Sequence, residues 1–285
     1  MRIKRASGRA EIISTAFIWS LSLLIFVGLI FLIYQMIGPG FSTINWNFFL
    51  EEPSRAGRAG GINSILVSTL LILLICLSVS LPLGLATAIF LNEMISQKKG
   101  LMRFVRRSLD ILAGVPSIVF GLFGNALFCK YLGLGFSLLS GGLTLACMVL
   151  PILVRFIEIG LRTVPEHYRL SGSALALTKK TILFQVILPY AAPGIVVGLI
   201  LGIGRALAET AALVFTSGYV DRMPTSFFDS GRALSVHIYD LSMNVAGGEA
   251  NAYKSIFVIM MSLFILNSLA IGLTDLLLTR KVGRL

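Results

Sequence analysis

The sequence predicts an all-helical integral membrane protein with six transmembrane helices. Of its 285 residues, 56% are hydrophobic and only 13% are charged, which is more apolar surface than a water-soluble domain needs. Apolar runs of about twenty residues recur along the chain, and each is long enough to cross a bilayer as a helix. The net charge of +11 is explained by membrane topology, so we expect no nucleic-acid partner.

Six apolar segments account for most of the chain. The first ends at the breaker cluster Gly38-Pro39-Gly40, and its run of about 26 residues exceeds the core of a signal peptide. The second contains Pro82 and the fourth Pro151, and a proline within a span favours a kink. The third opens with a glycine-rich stretch in which Gly114 and Pro116 favour bending. These four residues are candidate kink or gating positions. The spans are placed at residues 12–37, 62–92, 108–130, 141–160, 190–215 and 252–278.

The basic residues sort by side of the membrane. Seventeen Lys and Arg residues fall on the side that carries both termini and residues 93–107, and six fall on the other side. The positive-inside rule places the richer side in the cytoplasm. The sequence thus predicts a multi-pass protein of the cell inner membrane with both termini cytoplasmic. We divide it into a first span and loop (1–61), a membrane core (62–278) and a basic tail (279–285).

Smaller features offer little chemistry. Arg155 and Glu158 have i, i+3 spacing in the fourth span and are expected to pair at the interface. In the outer loop, residues 233–239 predict a short helix or strand at the surface, and the lone His237 is expected to be structural or solvated. The three cysteines have no neighbours at metal-ligand spacing, so neither a disulfide nor a metal site is expected. They are Cys76, Cys129 and Cys147.

A polar, basic stretch separates the fourth and fifth spans. Thr163 and Glu166 have capping-box spacing, and Pro165 falls in the predicted first turn, so a short helix is expected over about 164–177. Its apolar positions recur near helical spacing, as in an amphipathic helix. Such a helix either lies on the lipid surface or docks in a groove of another protein. The apolar positions are Leu170, Ala174, Leu175 and Leu177.

This stretch resembles the cytoplasmic signature of ABC-importer permeases. In that signature an E-A-A triplet is followed after three residues by Gly and then by an I-x-L-P-like end. Here the end is Val186 to Pro189, the triplet falls on Leu170-Ser171-Gly172, and Ala176 takes the Gly place. The chain thus lacks the acidic residue and the Gly. The resemblance implies that the helix docks in a cleft of a separate ATP-hydrolysing subunit, with Glu166 and these signature positions at the contact.

A longer match, from Asp110 to Gly124, resembles the phosphate-specific ABC permeases, which have an A-G-V-P-S-I-V-F-G-like run. Residues 186–217 extend this likeness. It implies a type I ABC importer permease bundle, MetI-like, with a cytoplasmic coupling helix. It also implies four kinds of partner: membrane lipid, a homologous permease subunit, an ATPase dimer and a periplasmic phosphate-binding protein. ATP would be bound by the partner, because this chain has no phosphate-binding loop motif, and no cofactor of its own is expected.

Arg205 and Glu209 lie four residues apart inside the fifth span, on one helical face. A charge at mid-bilayer costs roughly 2.5–3.5 kcal/mol, so it is usually paired or faces a cavity. Either the two side chains neutralise each other and hold the bundle together, or Arg205 presents its N–H donors to a transiting oxyanion. Thr210 and Thr216 are candidate hydroxyl donors. The phosphate-permease resemblance implies the second role for Arg205, Glu209 and Thr210.

Three functions follow from these features. The first is a permease subunit of an ATP-driven phosphate importer, which forms half of the translocation pathway and is not itself an enzyme. The second keeps the architecture and carries another oxyanion, such as molybdate or sulfate. The third is an intramembrane enzyme that acts on a lipid phosphate through Arg205, Glu209 and Asp110, although no nucleophile or metal-ligand cluster accompanies these residues. A secondary transporter is a further possibility, but no inverted repeat supports it.

Overall fold

A computed structural model describes residues 8–94 and 99–282, and the chain is helical through most of that range. The long helices are α1 (Gly8–Thr43), α3 (Asn63–Ile89), α6 (Leu138–Arg162), α9 (Leu188–Leu207) and α12 (Glu249–Val282). The shorter helices are α2 (Asn47–Leu50), α4 (Lys99–Ala113), α5 (Ser117–Gly124), α7 (Glu166–Ala174), α8 (Lys179–Ile182), α10 (Ala211–Val214) and α11 (Leu234–Met243). Strands β1 (Pro53–Ser54) and β2 (Ala59–Gly60) form an antiparallel hairpin. In the part of the chain that the structure describes, three π-helical segments occur: Phe90–Met94 extends α3, Asn125–Tyr131 extends α5, and Leu183–Ile187 joins α8 to α9.

The core is built where α6 packs between α3 and α9, and glycines set the close approach. At Gly142 an added Cβ would lie 2.6 Å from the side chain of Ile75 on α3. At Gly194 an added Cβ would lie 2.5 Å from the α-carbon of Gly160. Small residues at helix crossings let backbones come together in a membrane bundle. These contacts fix α6 as the central helix, with α7 directly after it.

The six-span architecture is confirmed, with a broken third span. Within residues 8–94 and 99–282, five helical segments are long and apolar enough to cross a bilayer, and a bent pair, Gly100–Ala113 with Ser117–Tyr131, makes the sixth if it is counted as one span. The pair bends by 101°. The predicted start at residue 108 was therefore wrong, because the end of α4 belongs to an amphipathic helix that turns at Gly114 to Pro116 before α5 begins.

Two other span boundaries differ from the prediction. The first helix does not stop at Gly38-Pro39-Gly40 but continues to Thr43, where Gly40 lies against the backbone of Tyr253 on α12. The fifth span begins at Lys179 and ends at Leu207, rather than running from 190 to 215. It stops early because the chain leaves helical geometry between Ala208 and Thr210. The boundaries at 61 and 278 stay predictions, and residues 1–7, 95–98 and 283–285, with part of the basic tail, lie outside the described residues.

Residues 233–239 of the outer loop, which were expected at the surface, form most of helix α11, and this part of the chain is largely buried. It contacts α3 through a hydrogen bond from the Leu234 N–H to the Thr69 hydroxyl (2.9 Å). His237 is fully buried on this helix, and burial lowers its pKa to about 4. Beside it, Arg232 and Asp240 form an ion pair at 3.1 Å. The prediction of a surface segment was therefore wrong, because residues 233–237 are buried where α11 packs on α3 and α12. We call this end of the bundle the α11 end and the opposite one the α7 end.

Candidate coupling and translocation sites

Helix α7 lies in the predicted coupling segment but is shorter than predicted. It begins at Glu166 and ends at Ala174, rather than running from about 164 to 177. The capping box is wrong: Pro165 occupies the N-cap position, and the Thr163 hydroxyl donates to the carbonyl of Gly160 (2.8 Å) instead. The hydroxyl turns back because α6 ends immediately before it and leaves carbonyls without helical partners. Glu166 itself is exposed in the first turn, where a carboxylate is favoured by the helix dipole.

The end of α7 explains why the signature has glycine at one position. Ala176 has φ = +55°, the left-handed region that glycine adopts without steric cost. The N–H of Ala176 donates to Ser173 (3.0 Å), and the N–H of Leu177 donates to Gly172 (3.1 Å). This pattern is a Schellman motif with Ala176 at its C′ position. The residue at the Gly place therefore terminates the helix, and here alanine does so under strain.

Leucines are exposed on α7 and in the turn that ends it. Leu170 on the helix is 64% exposed, and Leu175 and Leu177 in the turn after Ala174 are 74% and 41% exposed. Gly172, in contrast, is buried against Ile182 of α8, and Ser171 is exposed. The helix therefore packs on its own chain through its glycine, while Leu170 and the leucines of the following turn face outward. Among the residues that the structure describes, Leu170 and Leu175 stay mostly uncovered.

The Arg169 guanidinium anchors α7 to the rest of the bundle. Arg169 donates to both carboxylate oxygens of Glu93, at 2.7 and 3.2 Å, and also to the carbonyls of Val164 (3.0 Å) and Leu161 (3.3 Å). Hydrogen bonding to Glu93 raises the pKa of Arg169. This side chain thus joins α7 to the ends of α3 and α6. Sequence reasoning missed the pair because its members are far apart in the chain.

The predicted pair of Arg155 with Glu158 does not form. Arg155 pairs with Asp110 of α4 at 3.0 Å, while Glu158 accepts from Arg106 at 2.5 Å and from Arg162 at 2.6 Å. The tertiary partners win because α4 lies along α6 and supplies charges that an i, i+3 argument does not include. Glu158 is buried, and two arginines compensate its charge.

Arg205 and Glu209 lie where the fifth span breaks. Their closest charged atoms, Nη2 and Oε2, are 3.9 Å apart, so they are neighbours without a tight ion pair. The Glu209 side chain is 5% exposed and that of Arg205 is 47% exposed. The buried carboxylate accepts the N–H of Ala212 (3.2 Å), and the Glu209 carbonyl accepts the Ser235 hydroxyl (2.5 Å). A fixed anion therefore stands beside a half-exposed cation that retains free donor capacity.

The remaining predicted positions divide into two groups. Thr210 is half-buried at the same break, but Thr216 is not an available donor, because its buried hydroxyl donates to Ala212 (2.7 Å). Gly114 and Pro116 lie at the bend between α4 and α5. Pro82 and Pro151 lie inside α3 and α6, whose helical runs continue past them. Gating by any of these residues stays a prediction.

Comparisons with known proteins agree with this architecture. Residues 80–283 match the family model described as binding-protein-dependent transport system inner membrane component. A Bacillus subtilis (strain 168) protein, "Probable ABC transporter permease protein YqgI", is 30% identical over 254 residues, covering 84% of this chain and 86% of that protein. The Mycobacterium leprae (strain TN) "Phosphate transport system permease protein PstA" is 32% identical over 225 residues, covering 78% of this chain and 73% of that protein.

A solved structure supports the fold independently. It is the crystal structure of a bacterial ABC transporter involved in the import of the acidic polysaccharide alginate, with a TM-score of 0.63. At 17% identity the likeness covers 94% of this chain and 99% of that chain, and it bears on the fold alone. The chain therefore belongs to the binding-protein-dependent transport system inner membrane component family, the membrane-spanning permease subunits of ABC importers.

Proposed function

We propose that this chain forms half of the translocation pathway of an ATP-driven phosphate importer. The observation that carries the proposal is the α7 segment: Leu170 on the helix and Leu175 directly after it are largely exposed, while Arg169 joins the helix to the ends of α3 and α6. Exposed leucines on a helix that is anchored to the bundle are suited to dock in an apolar groove of a protein partner. We infer phosphate as the cargo from the names of relatives such as the phosphate transport system permease protein PstA.

The charges at the break of the fifth span support an oxyanion cargo. Arg205 is half-exposed and Glu209 is buried, so the cation is the member of the pair that a passing anion meets. A guanidinium engages two phosphate oxygens at once. In this proposal Arg205 contacts the transiting phosphate, Glu209 orients the guanidinium, and Thr210 lines the same break.

The proposed assembly contains other chains. A homologous permease subunit completes the pathway, and a periplasmic phosphate-binding protein delivers the cargo. An ATPase dimer docks on the exposed residues Glu166, Leu170, Ser171 and Ala176. Gly172, which was predicted at the same contact, is buried against Ile182 and supports the helix from within the chain instead. The α7 end faces the cytoplasm, as do both termini, because the basic residues concentrate there. ATP is bound and hydrolysed by the partner, so this chain needs no cofactor.

Uptake by the reconstituted complex tests the cargo. With the binding protein outside the vesicles and ATP inside, labelled phosphate should accumulate, and Arg205→Ala should lower the rate at least tenfold. Arg222→Ala, which removes an exposed arginine at the α11 end, is the matched control. Normal uptake by a properly assembled Arg205→Ala complex would contradict the role of Arg205. Stronger competition by sulfate or molybdate than by phosphate would transfer the proposal to another oxyanion.

Co-purification tests the docking. Leu170→Asp should release the ATPase subunit from the complex, because a charge cannot be buried without a partner in an apolar groove. Leu50→Asp is the control, since Leu50 is also 64% exposed but lies on α2, away from α7. Equal recovery of the ATPase with both variants would refute docking at Leu170.

A further inference from the structure

A cavity of about 590 Å³ opens between α4 and α6 near α7. Its lining residues all belong to these two helices, so it is separate from the break at Arg205 and from the exposed face of α7. One wall is apolar and includes Ala113, Ile152 and Ile159. The rim is charged and carries three arginines and two carboxylates. The pocket therefore combines a surface suited to hydrocarbon with a surface suited to an ionised group.

The charged rim has unused capacity for an anion. Arg106 and Arg162 share the Glu158 carboxylate, yet the buried Nε–H of Arg106 has no hydrogen-bond partner among the residues the structure describes. The Arg155 side chain remains 68% exposed although it contacts Asp110. The positive charge on this rim exceeds the negative charge by one, and the unpartnered Nε–H of Arg106 and the exposed guanidinium of Arg155 accompany it.

The surroundings of the rim add to this positive charge. Arg103 and Arg107 line an adjoining hollow on α4, while Phe104 and Ile111 on the same helix are exposed. A helix with basic residues on one side and exposed apolar residues on another lies in the membrane interface. Basic pockets between membrane helices bind anionic lipid headgroups.

We propose that this pocket binds an anionic phospholipid, with its phosphate at Arg155 and Arg106 and its first acyl carbons against Ala113 and Ile159. A phosphate diester satisfies the free donors of the rim, and charge-assisted contacts to guanidinium are the strong ones. Free phosphate fits less well, because an apolar wall strips water from an anion without replacing its hydrogen bonds. The lipid site is independent of the proposed cargo.

Lipid binding to the purified, delipidated complex tests the proposal. Phosphatidylglycerol and phosphatidylcholine are titrated separately, and bound lipid is counted by native mass spectrometry of the intact assembly. Phosphatidylglycerol should bind more tightly. Arg155→Gln should weaken it about fivefold, in line with one surface cation near a lipid phosphate. Ala113→Trp should weaken it similarly by filling the cavity without changing a charge, whereas the control Arg58→Gln, an exposed arginine at the α11 end, should have no effect.

Several results would overturn the proposal. Equal binding of the two lipids, or unchanged binding by Arg155→Gln, removes the headgroup contact. Displacement of phosphatidylglycerol by millimolar inorganic phosphate, with phosphate then bound to the complex, identifies a free-anion site instead. A maleimide that labels Ala113→Cys in the isolated chain but not in the delipidated complex shows that a partner subunit covers the pocket. Arg155 is exposed, so its variant reports on binding without a folding defect.

Discussion

Replacing Ala176 by glycine should stabilise the end of α7, although glycine usually weakens helices. Ala176 has φ = +55°, and an L-residue pays about 1–2 kcal/mol in the left-handed region. Glycine removes that cost, but loses part of the gain because its unfolded chain is freer. The net gain is about 1 kcal/mol. The side chain is exposed, so little packing is lost with its methyl group.

Amide hydrogen exchange of the coupling segment measures this effect. A gain of about 1 kcal/mol in local opening corresponds to roughly fivefold slower exchange at Ala176 and Leu177, whose N–H groups close the Schellman motif. Ala174→Gly is the matched control. It makes the same substitution two residues earlier, at a helical position, and should accelerate exchange by costing about 0.5–1 kcal/mol. Faster exchange in Ala176→Gly would refute the assignment of a strained helix end.

Three other predictions concern helix packing, the Arg169–Glu93 ion pair and the pH dependence of stability. Gly194→Ala should destabilise the chain by about 2 kcal/mol, because the new methyl meets the backbone of α6 at 2.5 Å and overpacking separates the helices. Gly204→Ala on the same helix is the control, and it should be tolerated in the same denaturation assay because its nearest neighbour is 3.7 Å away. Equal effects of the two variants would contradict this account. Arg169→Met should lower the free energy of unfolding by about 3 kcal/mol, because it leaves the Glu93 carboxylate unpaired, and adding Glu93→Leu should recover most of this loss. A double variant that is no more stable than the single one would exclude a stabilising Arg169–Glu93 ion pair. His237 has a folded pKa of about 4, below its unfolded value of about 6.5, so the unfolded state binds the proton first as the pH falls. The free energy of unfolding should therefore drop by about 2 kcal/mol between pH 7 and pH 5. His237→Asn should flatten this pH dependence in thermal unfolding, and a wild-type curve that is already flat would exclude a buried neutral imidazole.

Hydropathy predicted the long spans well, because runs of apolar residues report on the membrane directly. It failed at the third span, where the apolar residues of an amphipathic helix up to Ala113 read continuously into α5. It also failed beyond Leu207, where the chain remains apolar after the helix has ended. The bend of the third span falls at Gly114 to Pro116, which the sequence did indicate as bending positions, although hydropathy alone placed the span boundary wrongly. The break after Leu207 depends on backbone geometry that composition does not record.

Side-chain partners were harder to predict than spans. The i, i+4 spacing brought Arg205 and Glu209 together correctly as neighbours, because both lie on one local stretch. The partners of Arg155 and Arg169 come from other helices, and local spacing carries no information about them. The strained Ala176 could have been found from the signature itself, since a glycine requirement at a helix end indicates a positive φ.

The contact between Gly160 and Gly194 has a mechanical consequence. Gly160 lies two residues before the end of α6 and six before the start of α7, and at that level α6 and α9 touch backbone to backbone. Only residues 163–165 separate α7 from α6, and Arg169 bridges them through its hydrogen bonds to the carbonyls of Leu161 and Val164. A displacement of α7 therefore reaches the crossing of α6 and α9 over a short path, and we expect these two helices to tilt together about the glycine pair.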